Sequence, residues 1–205
     1  MGLISNGTTI FDAGALDSGL AKGAMTFIKK LTASSSANLA FVNGSSNVVL
    51  DSTYKEYIFT FKNIHPETDS KKFRINFSVD GGSNYGVATT STAFFARHNE
   101  ADTNTALSYD ASFDLAQSTS PQNLNNDVGN DNDQCDGGTL HLFNPASTTF
   151  VKHFISRVST SQATNYHYDM HYAGYVNTTS AITAVKFDMA SGNIDAGDIC
   201  LYGIA

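Results

Sequence analysis

Two stretches carry residues whose types and spacing could do chemistry. Residues 125–138 read NNDVGNDNDQCDGG, and loops this rich in side-chain oxygen hold calcium when the ligands fall at fixed offsets. With Asp131 at position 1 of an EF-hand loop, Asp133 takes position 3. Position 5 is then Cys135, position 6 is Asp136 where glycine should turn the chain, and position 12 is Leu142 in place of a bidentate glutamate. Starting at Asp127 or Asn130 does no better. Crowded carboxylates repel unless they are solvated or neutralised by a cation. The residues therefore support a weak calcium site at most, and a solvated polar loop is the expectation.

The second stretch is NYHYDMHY, residues 165–172. Side chains alternate faces along a strand, so His167, Asp169 and His171 share one face and Tyr166, Tyr168, Met170 and Tyr172 the other. Two imidazoles and a carboxylate are ligand types for zinc or non-haem iron. Four residues of strand, however, separate His167 from His171 by roughly 13 Å, and the H-x-H pair of metal-binding cupins is absent. A strand with a polar outer face is the simpler reading. Asp131, Asp133, Asp136, His167, Asp169 and His171 are thus the metal candidates, no metal is expected at them beyond weak calcium, and no other cofactor is implied.

Other chemistries find less support. SVDGGSNY (78–85) matches the S-x-D-x-G-x-T-W Asp-box hairpin at Ser78, Asp80 and Gly82, with Asn84 and Tyr85 replacing Thr and Trp. The aspartate of such a turn caps backbone N–H groups and glycine supplies positive φ, which serves any β-fold. There is no G-x-S-x-G nucleophile elbow, and Lys22-Gly23-Ala24 lacks the order of a phosphate cradle. Glycoside hydrolysis needs two carboxylates across a groove, and the chain has no Trp to serve as a sugar platform, although nine Tyr could substitute. No catalytic residue is expected.

The elements that would position these residues are strands. Period-2 alternation runs through MTFIKKLTA (25–33), NLAFV (38–42), EYIFTFKNI (56–64), KFRINFSVD (72–80), GVATTSTAFFARHN (86–99), TLHLFN (139–144), TFVKHFISRV (149–158), NYHYDMHYAGYV (165–176), AITAVKFDMA (181–190) and GDICLYGI (197–204). NGSS (43–46) signals a hairpin into NVVLD. In the clearest half-buried strand, Phe73, Ile75, Phe77 and Val79 point inward. No long amphipathic helix is present, and about ten strands predict an all-β antiparallel sandwich, jelly-roll-like. Residues 1–24, rich in small residues, form an N-terminal arm or docking segment. Residues 25–205 form one domain, interrupted by a long polar excursion at 100–138.

Composition narrows the function. Of 205 residues only 15% are charged, and 19 acidic against 12 basic residues give a net charge of −7, which disfavours nucleic acid. No run of 18 apolar residues suggests a membrane span, and MGLISNGTTIFDAG lacks the n- and h-regions of a secretory signal. Two cysteines, Cys135 and Cys200, do not make a disulfide framework.

The opening MGLISNGTTIFDAG, the phrase YKEYIFTFKNIHP (54–66) and the ending SGNIDAGDICLYGIA (191–205) resemble a family of small virion structural proteins from marine, cyanophage-like tailed bacteriophages. A strand ending I-x-L-Y-G-I closes chains of that family, as ICLYGI does here. The resemblance implies a non-enzymatic protein of the particle surface, made in the bacterial cytoplasm and assembled with copies of itself and other virion proteins. Capsid decoration is favoured over a tail or fibre component, because nearly the whole chain is one domain. The alternative is a glycan-binding, lectin-like host-attachment module of the tail. Its mark would be side chains such as Tyr109 and the 125–138 carboxylates converging in one shallow groove.

Overall fold

The computed structural model describes residues 3–6, 8–12, 15–16 and 24–205. The first strands are β1 (Leu3–Ser5), β2 (Thr8–Asp12) and β3 (Ala15–Leu16), which pair with one another in a small antiparallel sheet. The expected arm therefore carries strands of its own. The remainder holds β4 (Met25–Ser36), β5 (Leu39–Val42), β6 (Glu56–Pro66), β7 (Phe73–Ser78), β8 (Thr89–Asn99), β9 (Thr105–Tyr109), β10 (Gln122–Asn123), β11 (Asp136–Phe143), β12 (Lys152–Ser161), β13 (Tyr166–Val176), β14 (Ala184–Met189) and β15 (Ile194–Ile204).

These strands make two antiparallel sheets packed as a sandwich. The larger has eight strands in the order β4-β15-β6-β11-β12-β13-β8-β9, and the smaller has four, β10-β7-β14-β5. The all-β sandwich is as the alternation predicts. The eight-and-four division is more lopsided than the paired four-stranded sheets of a jelly roll. Period 2 decides which side chains face in. Along β12, Lys152, Phe154, Ser156, Val158 and Thr160 are buried, while His153, Ile155, Arg157 and Ser159 are exposed.

The core is an aromatic cluster bridging the two sheets. Tyr57, Phe59 and Phe61 of β6 are buried. Phe59 and Phe61 meet Phe187 of β14 with ring centroids 5.3 Å apart in each case. Phe41 and Phe73 complete the set at 6.3 and 5.7 Å from Phe187. One buried cation lies outside this cluster: the Lys152 ammonium donates to the carbonyls of Thr178 and Ser180 at 3.1 and 2.6 Å. Those bonds tie β12 to the β13–β14 connection.

Three expectations need correction. NVVLD is not a strand: a turn closes with Gly44 N–H to Val48 O at 2.9 Å, and Val48 and Leu50 are buried as the chain leaves the small sheet for β6. Val79 lies beyond the end of β7 and is exposed. The 100–138 excursion supplies edge strands to both sheets, β9 to the large one and β10 to the small one. Some of its polar residues are internal staples. Gln122 is buried, accepting from Ser91 Oγ at 2.6 Å and donating to the carbonyls of Phe113 and Asn123. Asn125, also buried, accepts from Phe73 N–H at 2.7 Å. An amide side chain can donate and accept at once, so it replaces backbone pairing where two sheets are too irregular to pair.

Candidate functional site

The acidic stretch does not assemble a cage. Asn130, Asp131, Asn132 and Asp133 are exposed, and Asp127 pairs with Lys72 at 3.3 Å. Asp136 turns inward, fully buried, with Oδ2 accepting from Asn125 Nδ2 at 2.7 Å. Its Oδ1 faces Thr160, the cross-strand partner, and neither that oxygen nor the Thr160 hydroxyl closes a hydrogen bond. Loss of hydration pushes the Asp136 pKa up to about 7. The solvated-loop expectation therefore holds at 130–133 and fails at Asn125, Val128, Gln134 and Asp136, all buried. Among the described residues no three of His, Cys, Asp and Glu converge as a metal-binding group.

A calcium titration tests this arrangement. A site held at one hundred times its Kd would add about 2.7 kcal/mol, which moves the midpoint of a domain this size by several degrees. The expected result is coincident melting curves in calcium and in EDTA. A calcium-dependent rise abolished by Asp131→Ala with Asp133→Ala would reinstate the ion.

The SVDGGSNY turn is structural. Asp80 accepts from Ser78 Oγ at 2.7 Å and from the Asn84 backbone and side-chain N–H groups at 2.9 and 2.7 Å. Those donors hold its carboxyl down at about 2. Gly82 has φ +84°, and a Cβ there would stand 2.8 Å from the Tyr85 hydroxyl.

His167, Asp169 and His171 do share one face, the outer face of the eight-stranded sheet, as alternation requires. Each is tied to a protein partner. Arg157 grips Asp169 with two donors at 2.8 Å each, and His171 Nε2 lies 3.2 Å from the same carboxylate. These contacts, the Arg157 bonds foremost, hold the Asp169 carboxyl below its ordinary range. His171 stacks flat on Phe94, centroids 4.6 Å apart, and His167 lies 3.3 Å from Ser159 Oγ. This is a pinned polar centre, and Arg157 is the residue that sequence reasoning missed.

Phe94, Leu107, Tyr109 and Ile155 are exposed around that centre, interspersed with Ser, Thr and His side chains, and Met25 and Phe27 are exposed on β4 at the opposite edge of the same face. Two adjoining hollows of about 580 and 570 Å³ share His167 and Asp169. The first reaches Ala96 and Leu107, and the second reaches Gly137, Thr139 and Arg157. The groove expected of a lectin does not form from the residues named for it: the Tyr109 hydroxyl donates to Asp114, while Asp136 is buried in the sandwich. The signal for the face was present in β8 and β12, where Phe94 adjoins Phe95 and Ile155 adjoins Phe154. Adjacent apolar residues in a strand put one on each face.

Cys135 and Cys200 are free thiols. No helix of the described residues is long and apolar enough to cross a membrane. Comparison with protein-family models, curated proteins and solved structures finds no match.

Proposed function

We propose that this chain is a non-enzymatic structural protein of a bacteriophage particle, a capsid decoration subunit in preference to a tail or fibre component. The observation that carries the reading is the outer face of the large sheet. Four large apolar side chains, Phe94, Leu107, Tyr109 and Ile155, stand exposed there, around a centre whose charged groups are already satisfied by one another. A soluble surface seldom leaves so broad an apolar face bare, and such faces are characteristic of assembly. The residues behind the phage resemblance support it from another side. YKEYIFTFKNIHP and SGNIDAGDICLYGIA contribute β6 and β15, which pair along most of their length inside the edge strand β4. They are scaffold residues, as expected of a family defined by its architecture.

Immunogold labelling of intact particles tests the proposal. Label over the capsid is the expected result. Label confined to the tail overturns the decoration assignment, and particles that carry no label overturn the virion reading. A host-attachment module that binds glycan is the second reading, favoured by the two adjoining hollows. Its test is a glycan array, where binding lost in Arg157→Ala would support it.

A further inference from the structure

The cross-strand register makes the outer face complementary to itself. Five strands run side by side in the order β11-β12-β13-β8-β9, so β9 and β11 each lie two strands from β13, on opposite sides. One row of partners crosses them as Gly137, Ser159, Asp169, Ala96, Leu107. The next outward row is Thr139, Arg157, His171, Phe94, Tyr109. Leu107 is the most exposed large apolar side chain of the described residues, at 77%. Gly137, at the other end of its row, has no side chain, and a Cβ there would find no atom nearer than Phe61 O at 3.9 Å. A knob and a hollow thus sit at equal distances from β13, in one row.

We propose that this face binds a second copy of the chain about a twofold axis running along β13. A twofold interface joins the same patch on both subunits, so each contact occurs twice. Rotation about that axis sets β9 of one copy over β11 of the other. Leu107 then seats above Gly137 of the other copy, and Phe94 lies over Arg157, whose guanidinium can rest on the ring face. The two copies of Asp169 meet near the axis without free charge, because each carboxylate is gripped by its own Arg157.

Charge and area fit this occupant. On the outer face of these five strands Arg157 stands against Asp169, one cation to one anion, histidines aside, in a chain of net charge −7. A neutral face is where an acidic protein can meet its own copy without repulsion. Five strands at about 4.8 Å spacing and some 30 Å of strand length give a footprint on the order of 700 Å². A standard stable interface uses about 800 Å² per partner. Face-to-face sheets packed at a shallow angle are an ordinary arrangement.

The proposal deepens the structural-protein reading and rests on it only for the expectation that copies assemble. Sedimentation equilibrium across the micromolar range is the test, on the full chain. The wild type is expected to be a dimer. Leu107→Glu and Gly137→Leu are each expected to raise the dissociation constant by about tenfold or more, with unchanged circular dichroism. Gly137→Leu fills the hollow from open space, so a folding defect is not anticipated. In a Cys135→Ser background, the Leu107→Cys, Gly137→Cys double variant is expected to be cross-linked between subunits by a short bis-maleimide, since sheets packed face to face stand about 10 Å apart, beyond the reach of a disulfide. A monomeric wild type overturns the proposal, as does an oligomer that survives both single variants or a double cysteine that does not cross-link. Particle labelling is independent of all three results, so the two proposals fail separately.

Discussion

Replacing Phe187 by alanine is expected to cost about 3–5 kcal/mol of unfolding free energy, the largest loss of any single core truncation in this chain. Phe187 is fully buried in β14 and touches four other rings: Phe41, Phe59, Phe61 and Phe73. Three of those contacts are edge-to-face and the one with Phe73 is stacked, at an interplanar angle of 18°. Such pairs add about 0.5–1.5 kcal/mol each beyond the area they bury. The ring also joins the sheets, since Phe59 and Phe61 belong to the large sheet and Phe41 and Phe73 to the small one. Its removal leaves a cavity that neither sheet can fill without breaking register. Domains are stable by only about 5–15 kcal/mol, so the variant should be near its limit. Urea unfolding checks this, with Phe150→Ala as control: Phe150 is 70% exposed, and surface changes normally stay within about 0.5 kcal/mol. A Phe187→Ala loss no larger than the control's would mean that the two sheets are not joined through this ring.

The aromatic core was legible because its residues lie on strands that alternate cleanly. EYIFTFKNI places aromatic rings, and KFRINFSVD large apolar side chains, at every second position, and burial of one sheet face dictates that pattern. The polar excursion was misread for an equally physical reason. Asn, Asp and Gln in series suggest solvated turns, and at 130–133 they form one. Gln122, Asn125 and Asp136 have the same composition and the opposite fate, because amide and carboxyl groups can satisfy buried backbone groups where strands diverge. Nothing local distinguishes the two uses. The outer face was half legible: alternation put His167, Asp169 and His171 together, but Leu107 and Phe94 join them only through long-range register. The long-range step is the pairing of β8 with β13, because β8–β9 and β11–β12–β13 are each strands consecutive in the chain.

Asp136→Asn is expected to stabilise the protein at pH 8 by roughly 2–4 kcal/mol and to change little at pH 4. The sign follows from where the proton sits. Burial raises the Asp136 carboxyl from its ordinary 3.8 to about 7 in the folded chain. Between those two values the folded state holds a proton that the unfolded state has released, so stability falls as pH rises through that window. Above it, the full cost of an ionised, buried carboxylate is present: three pH units at about 1.36 kcal/mol each set an upper bound near 4 kcal/mol. Asparagine has the shape of the protonated acid and never ionises. Its oxygen can accept from Asn125 Nδ2, and its amide can donate towards the Thr160 hydroxyl, which closes no hydrogen bond in the native protein. The measurement is the difference in unfolding free energy between variant and wild type at a series of pH values, in which all other titrating groups cancel. A difference that grows with pH from about 4 to 8 is the expected result. A flat difference would show that the carboxyl is not neutral in the fold. A variant weaker than wild type at pH 8 would mean that Asp136 works as an anion, with a cation or an unrecognised donor beside it. Since Asn125 links Asp136 to the N–H of Phe73 in β7, the ionised carboxylate loads the point where the 100–138 segment is fastened between the sheets. Amide exchange in that segment should therefore quicken with pH in the wild type beyond the intrinsic rate, and should not do so in the asparagine variant.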